Sequence, residues 1–351
     1  MAVQIPVKRS LAGWATLSLF LIALGGVVLI PTGFVIERPG QVFNVMGQID
    51  GRPVISSSDL EVFESDSRFD VTTVSLVGNR ESTPGWIQVL FAWADPSQIV
   101  LPLDEVYPPN RTTEEVRAES SAMMEISQQD SIAVALRDLG YEVPRSLYVS
   151  TVLEGTPASR LLVGGDFVLS ANGVSVTTFE ELRSQIQLSL GQPMEILVIR
   201  DGRESVIDIT PEFKVDAYVI GAMIGYTYDF PVEISLQLGN VGGPSGGLMF
   251  ALGIIDALTP GSLAGANHVS GTGTISPGGE VGPIGGIELK MIAARDSGAN
   301  LFLAPAGNCN EVIDSVPEGL SVVAVRDLSE AKSAVEALAK GLALPALGCS
   351  N

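Results

Sequence analysis

Histidine is almost missing from this 351-residue chain: His268 is the only one. Mechanisms that need two or three histidine ligands are excluded, and only this residue could complete a Ser–His or Cys–His pair. Cysteine is nearly as scarce. Cys309 and Cys349 are the only two, without CxxC spacing, which argues against a zinc site or a thioredoxin-type centre. No GxxxxGK[ST] run occurs, so the chain carries no P-loop of its own and no nucleotide is expected as a partner. Basic residues are also few: 20 lysines and arginines against 40 aspartates and glutamates leave a formal charge of −20. That balance, with no basic stripe to offset it, repels a phosphate backbone and excludes nucleic acid as an expected partner.

Apolar residues make up 46% of the chain, and its length suffices for two or three domains. Residues 10–36 carry no charge, and Leu11–Ile30 are nearly all apolar or small. About 20 such residues at 1.5 Å rise span a ~30 Å hydrocarbon core. Lys8 and Arg9 precede the run, so the short tail stays cytoplasmic and everything after Ile30 lies outside, on a single-pass anchor at the cell membrane. A cleaved signal peptide would have a shorter apolar run followed by a small-residue cleavage site. Pro31-Thr32-Gly33-Phe34 is a poor one, which favours a retained anchor in contact with membrane lipid. An extracytoplasmic setting permits a Cys309–Cys349 disulfide tying the tail to the last domain; two free buried thiols are the alternative.

There is no fixed-period repeat or low-complexity tract. After the tail and anchor (1–31), residues 32–140 read as extended segments, among them Phe69–Val77 and Trp86–Trp93, then a helix over 112–139 that Thr113 can cap and Gly140 ends. Residues 141–213 show short strands between glycine turns, a helix at FEELRSQIQLSL and a hairpin turning at Asp201-Gly202. Gly155-Thr-Pro-Ala158, Gly164-Gly165-Asp166 and Asn172-Gly173 make this stretch resemble a bacterial PDZ domain, which implies binding of extended peptide termini at a sheet edge. Residues 214–351 alternate strands and helices, from VIGAMIGY onward, as an α/β domain.

Two places in that last segment break local rules. In Val241-Gly-Gly-Pro-Ser-Gly-Gly247, glycines allow close backbone approach and Pro244 fixes the turn into a helix. Ser245 then stands at a helix N-terminus, where free N–H groups favour developing negative charge, as an acyl-transfer nucleophile requires. An ordinary serine cap is the plainer reading of that motif alone. The second is Lys290, which shares a helix face with Ile287, Met291 and Ala294. Buried, it would lose its charge preference and could take a proton from a serine hydroxyl; from the helix alone, extension to the surface is the plainer reading.

Together these motifs resemble the proteolytic domain of Lon proteases. That family's GPSAG matches Gly243-Pro-Ser-Gly-Gly247, and its TGE…PIGGLKEK segment matches Thr272-Gly-Thr-Ile275 and Gly282-Pro-Ile-Gly-Gly-Ile-Glu-Leu-Lys290. The resemblance implies a Ser–Lys dyad of Ser245 and Lys290, with Thr272 orienting the lysine and Gly243 and Gly246 in the oxyanion region. It implies a peptidase that needs no metal or other cofactor, acts on polypeptide substrates and assembles as a homo-oligomer. Two departures stand out: Gly242 replaces the acid before the family's GPS, and Glu288 replaces the first lysine of its KEK. No counterpart of the Lon ATPase domain is found, so an ATP-independent activity is expected. Membrane helix, mainly-β PDZ domain and α/β (α+β) Lon-type domain together resemble the bacterial PDZ-containing Lon-like peptidases. A non-catalytic membrane-tethered PDZ adaptor is the competing expectation.

Overall fold

A computed structural model describes Trp14 and residues 31–239, 241–345 and 347–349. The expected membrane helix at Leu11–Ile30 therefore lies, apart from Trp14, outside the described residues. Among those described, no helix is long and apolar enough to cross a membrane. The chain divides into two compact units, Met1–Ala135 with Glu233–Asn351, and Leu136–Val232. The second is an insertion into the chain of the first. This corrects the expected succession of 32–140, 141–213 and 214–351.

The cause lies in the first unit's sheet. Its strands run in the order Ser321–Val325, Leu301–Pro305, His268–Gly271, Arg68–Val77, Phe34–Asn44 and Ile99–Pro102. The first four are parallel neighbours; Phe34–Asn44 and Ile99–Pro102 complete the sheet antiparallel. His268 pairs with Arg68 and Ser270 with Asp70, so the sheet is closed by strands from both ends of the sequence. Leu301–Pro305 is buried throughout, as a strand covered on both faces must be. The helix Gly247–Ala257 is buried at every position, which its nearly uninterrupted apolar sequence allows.

Three local expectations change. Trp86–Ala94 is a helix, not a strand. Its aromatic and β-branched content mimics a strand, but Val89 and Ala92 bury at helical spacing and Trp86 and Trp93 both pack edge-on against Phe34, at 6.3 and 5.8 Å. The long helix Thr113–Asp138 is capped by Thr112, whose Oγ1 accepts from Glu115 N (3.1 Å) while Glu115 Oε2 accepts from Thr112 N (2.8 Å). Ala222–Tyr228, expected to begin the last domain, instead pairs with Arg145–Val152 in the second unit.

That unit is an antiparallel sheet ordered Arg203–Ile209, Met194–Arg200, Phe167–Ala171, Arg145–Val152, Ala222–Tyr228, with the helix Phe179–Leu188. Leu147, Val168, Leu182, Ile196 and Ile209 lie in its core. Its hairpin turns at Asp201-Gly202, both at positive φ, with Arg200 opposite Arg203.

Cys309 and Cys349 form a disulfide, with Cα atoms 5.3 Å apart. It holds the C-terminal tail where Leu347 O accepts from Ala324 N (2.8 Å) and Leu347 packs on the cluster around Met291 and Phe302.

Candidate active site

Ser245 lies within a single 3-10 turn, Pro244–Gly246, that leads directly into the buried helix Gly247–Ala257. Gly243 precedes the turn at φ 85°, a left-handed conformation that favours glycine. Its N–H donates to Ser120 O (2.9 Å). This donor, expected to face an oxyanion, is therefore engaged by the long helix in the structure. Gly246 serves close packing: a Cβ there would come within 2.9 Å of the Phe250 ring.

The Ser245 carbonyl is held from two sides, by Gly273 N (2.8 Å) and by Thr272 Oγ1 (3.1 Å). Thr272 is fully buried. A threonine hydroxyl has one proton, and here it points at the Ser245 carbonyl. Toward any other neighbour Thr272 can only accept. That neighbour is Lys290, whose Nζ donates to Thr272 Oγ1 at 3.3 Å.

Lys290 stands on the helix Ile287–Asp296 and is only 3% exposed. Burial pushes its ammonium down from the usual lysine range to about 8, against an opposing pull from the Glu37 carboxylate. At neutral pH an appreciable fraction is then the free amine. With one N–H committed to Thr272, the amine's lone pair remains available as a base. No direct hydrogen bond joins Ser245 Oγ to Lys290 Nζ among the described residues, and such catalytic bonds commonly tighten only when substrate binds.

Three supports escape a reading of the motifs alone. Glu37 belongs to the strand Phe34–Asn44, against which the Lys290 helix packs. The helix begins at Gly286, where a Cβ would come within 3.3 Å of the Glu37 carboxylate. Burial pushes the Glu37 carboxyl up and the Lys290 charge pulls it down. The other two are Ser127 and Ser131 on the long helix. Ser127 Oγ donates to Pro244 O at 2.9 Å, and the single Ser131 hydroxyl proton lies between Ser127 O one turn back (2.6 Å) and Gly247 O (2.9 Å). The sequence signal was a serine pair at i, i+4 leading into the apolar run Ile132–Leu136, and an acid directly after the buried Val35 and Ile36.

A cleft of about 870 Å³ runs between the long helix, at Ser120, Met124 and Gln128, and residues 233–236, 239, 241 and 242. It reaches Gly242, next to the Ser245 turn. His268 takes no part in this arrangement. Its Nε2 lies 2.6 Å from Asp70 Oδ2, and Asp70 also receives Arg68 Nε and Nη2.

Residues 230–338 match the Lon protease (S16) C-terminal proteolytic domain. The Lon match omits residues 32–135, although these supply three of the six strands of the same sheet. Lon protease 2 of Bacillus subtilis (strain 168) is 34% identical over 103 residues, covering 29% of this chain and 18% of the relative. Lon protease 1 of the same strain is 30% identical over 175 residues, covering 47% of this chain and 22% of the relative. The chain thus spans about a fifth of the length of these Lon relatives. Among solved structures, the PDZ domain of an SdrC-like protein from Listeria monocytogenes is similar at 22% identity and a TM-score of 0.21, covering 22% of this chain and 85% of that one.

Proposed function

We propose that the chain is an ATP-independent serine endopeptidase that cleaves unfolded or flexible polypeptides outside the membrane to which residues 11–30 anchor it. The observation that carries this reading is Lys290: a buried lysine, lowered to about 8, bonded to a threonine that itself holds the Ser245 carbonyl. A lysine kept dry and short of a full ion pair costs stability, and general-base chemistry is a reason to keep it so.

In the proposed reaction neutral Lys290 takes the Ser245 proton as Oγ attacks a peptide carbonyl. Backbone N–H groups at the start of the Ser245 helix stabilise the oxyanion. The tetrahedral intermediate collapses, Lys290 gives its proton to the departing amine, and water, deprotonated by the same lysine, releases the acyl group from Ser245. The cleft beside Gly242 is where an extended substrate would lie. In the second unit, Arg203–Ile209 and Ala222–Tyr228 are the outer strands in the sheet order, and a PDZ-like capture of peptide ends would add a strand beside one of them.

The test is proteolysis of an unfolded protein without ATP by the wild-type chain and by Ser245→Ala and Lys290→Ala variants. Loss of nearly all cleavage in both variants supports the reading. Equal rates in all three between pH 6 and 9 would sink it and favour a tethered adaptor.

A further inference from the structure

The helix Trp86–Ala94 carries no charged residue, and most of its apolar side chains point outward. Phe91 is 72% exposed, Leu90 58%, Trp93 57% and Ile87 53%. Isolated exposed apolar residues are ordinary, but four within seven positions on one short helix form a patch that calls for a partner.

The helix is fixed to one particular place in the chain. Its inner side packs on Phe34 through Trp86 and Trp93. The residue at its entry, Pro84, accepts the buried Thr32 hydroxyl at 2.6 Å. Two residues before Thr32 ends the uncharged stretch Leu11–Ile30. Three or four extended residues reach only about 10–14 Å. Wherever that stretch enters a bilayer, the patch is therefore held within reach of the headgroup layer.

We propose that Trp86–Ala94 is a membrane-resting helix, with Ile87, Leu90 and Phe91 sunk into the lipid interface and Trp93 at its rim, so that the catalytic unit is seated on the bilayer rather than hung from a free tether. Tryptophan suits that depth, with an apolar ring and one polar N–H. A helix of nine residues binds a bilayer weakly alone, and the adjoining anchor supplies the high local concentration that makes the contact persistent. With a chain charge of −20, contact is apolar rather than electrostatic, so it survives high salt and needs no anionic lipid. This inference rests on the anchoring part of the proposed function and is independent of the peptidase chemistry.

The chain contains three tryptophans, so Trp14→Phe leaves emission from Trp86 and Trp93 alone. The full chain with that change is placed in phosphatidylcholine nanodiscs with or without acyl chains brominated near the headgroup or near the bilayer centre. A seat about 5–10 Å deep should cost roughly half the emission with shallow bromines and less with deep ones. Adding Leu90→Glu and Phe91→Glu, both at exposed positions, should abolish the quenching while the chain stays in the discs. Unchanged emission in brominated discs that do contain the chain overturns the inference and leaves the anchor standing. Emission that shifts with protein concentration but ignores bromine also overturns it, in favour of a second copy covering the patch. Failure of the full chain to enter discs overturns anchor and inference together, with the Ser245-dependent cleavage assay unaffected.

Discussion

Thr272 gives its hydroxyl proton to the Ser245 carbonyl at 3.1 Å and accepts from Lys290 at 3.3 Å, so one side chain sets the position of both proposed reacting residues. Thr272→Val keeps the shape and removes both bonds. The lysine then loses its acceptor and the Ser245 turn one of its two clamps. We expect kcat to fall by about 10²-fold, as for loss of an orienting partner, with KM nearly unchanged. Thr272→Ser, which keeps the hydroxyl, should recover most of the rate. A rise in KM at constant kcat would instead place Thr272 in substrate binding.

The pH dependence follows from the same lysine. With Lys290 lowered to about 8, the free amine grows as pH rises, so kcat/KM should climb to a plateau with an apparent pKa near 8. The Glu37 charge holds that value up. Glu37→Gln removes it and should move the rising limb toward lower pH. A limb that stays in place in the variant would show that the two charges do not sense each other in solution.

Burying Lys290 carries a stability cost that can be measured. The unfolded lysine keeps its proton up to about 10.4, while the folded one releases it near 8. Between those values the unfolded chain binds more protons, so stability from this group rises with pH. Below 8 the folded protein bears the full penalty of a buried ammonium, on the order of 3 kcal/mol from the size of the shift. Lys290→Met has no such titration. Its unfolding free energy should exceed that of wild type at pH 7 by up to that amount, and the gap should close toward pH 10. Urea titrations of both proteins at several pH values supply the comparison; a variant less stable at every pH contradicts the burial argument.

Ser127 and Ser131 brace the Ser245 turn from a helix more than a hundred residues away in sequence. Replacing Ser127 with alanine removes the side-chain donor to the part-buried Pro244 carbonyl, and replacing Ser131 removes the hydroxyl shared between Ser127 O and Gly247 O, each at a cost of about 1 kcal/mol. The double variant should fold, melt earlier and lose kcat more steeply than its population of unfolded chain explains. Activity and melting measured on the same sample separate the two effects.

How much of this was legible in the sequence divides along physical lines. The Ser245 turn and the lysine in an apolar stripe are local anomalies, visible because glycine, proline and lysine each violate what a plain helix wants. Thr272 became legible through its resemblance-guided spacing to Lys290. The sheet was not legible. Pairing of His268 with Arg68, or of the Lys290 helix with the Glu37 strand, leaves no periodic trace when the partners are some two hundred residues apart. For the same reason Ala222–Tyr228 reads equally well as the start of one domain or the end of another. In Trp86–Ala94 composition masked the period: the Trp86 and Trp93 spacing on Phe34 was the helical signal, and the aromatic and β-branched residues argued for a strand.

The Cys309–Cys349 disulfide should stabilise the first unit without taking part in the proposed chemistry. It joins positions 40 residues apart, across the strand Ser321–Val325 and the helix Leu328–Ala339. Closing a loop of that length removes roughly 4 kcal/mol of chain entropy from the unfolded state. Neither sulfur is bonded to Ser245, Thr272 or Lys290, and the tail meets the unit through Leu347, on the cluster that packs beneath the Lys290 helix. A Cys309→Ser, Cys349→Ser double variant should therefore melt several degrees lower, as a loss of that size requires, and keep its kcat well below the melting temperature. Calorimetry and cleavage rates on the same preparation decide the matter. An unchanged melting point would mean the tail is ordered without the bond, and a fall in kcat at low temperature would mean that the Met291 side of the Lys290 helix depends on it.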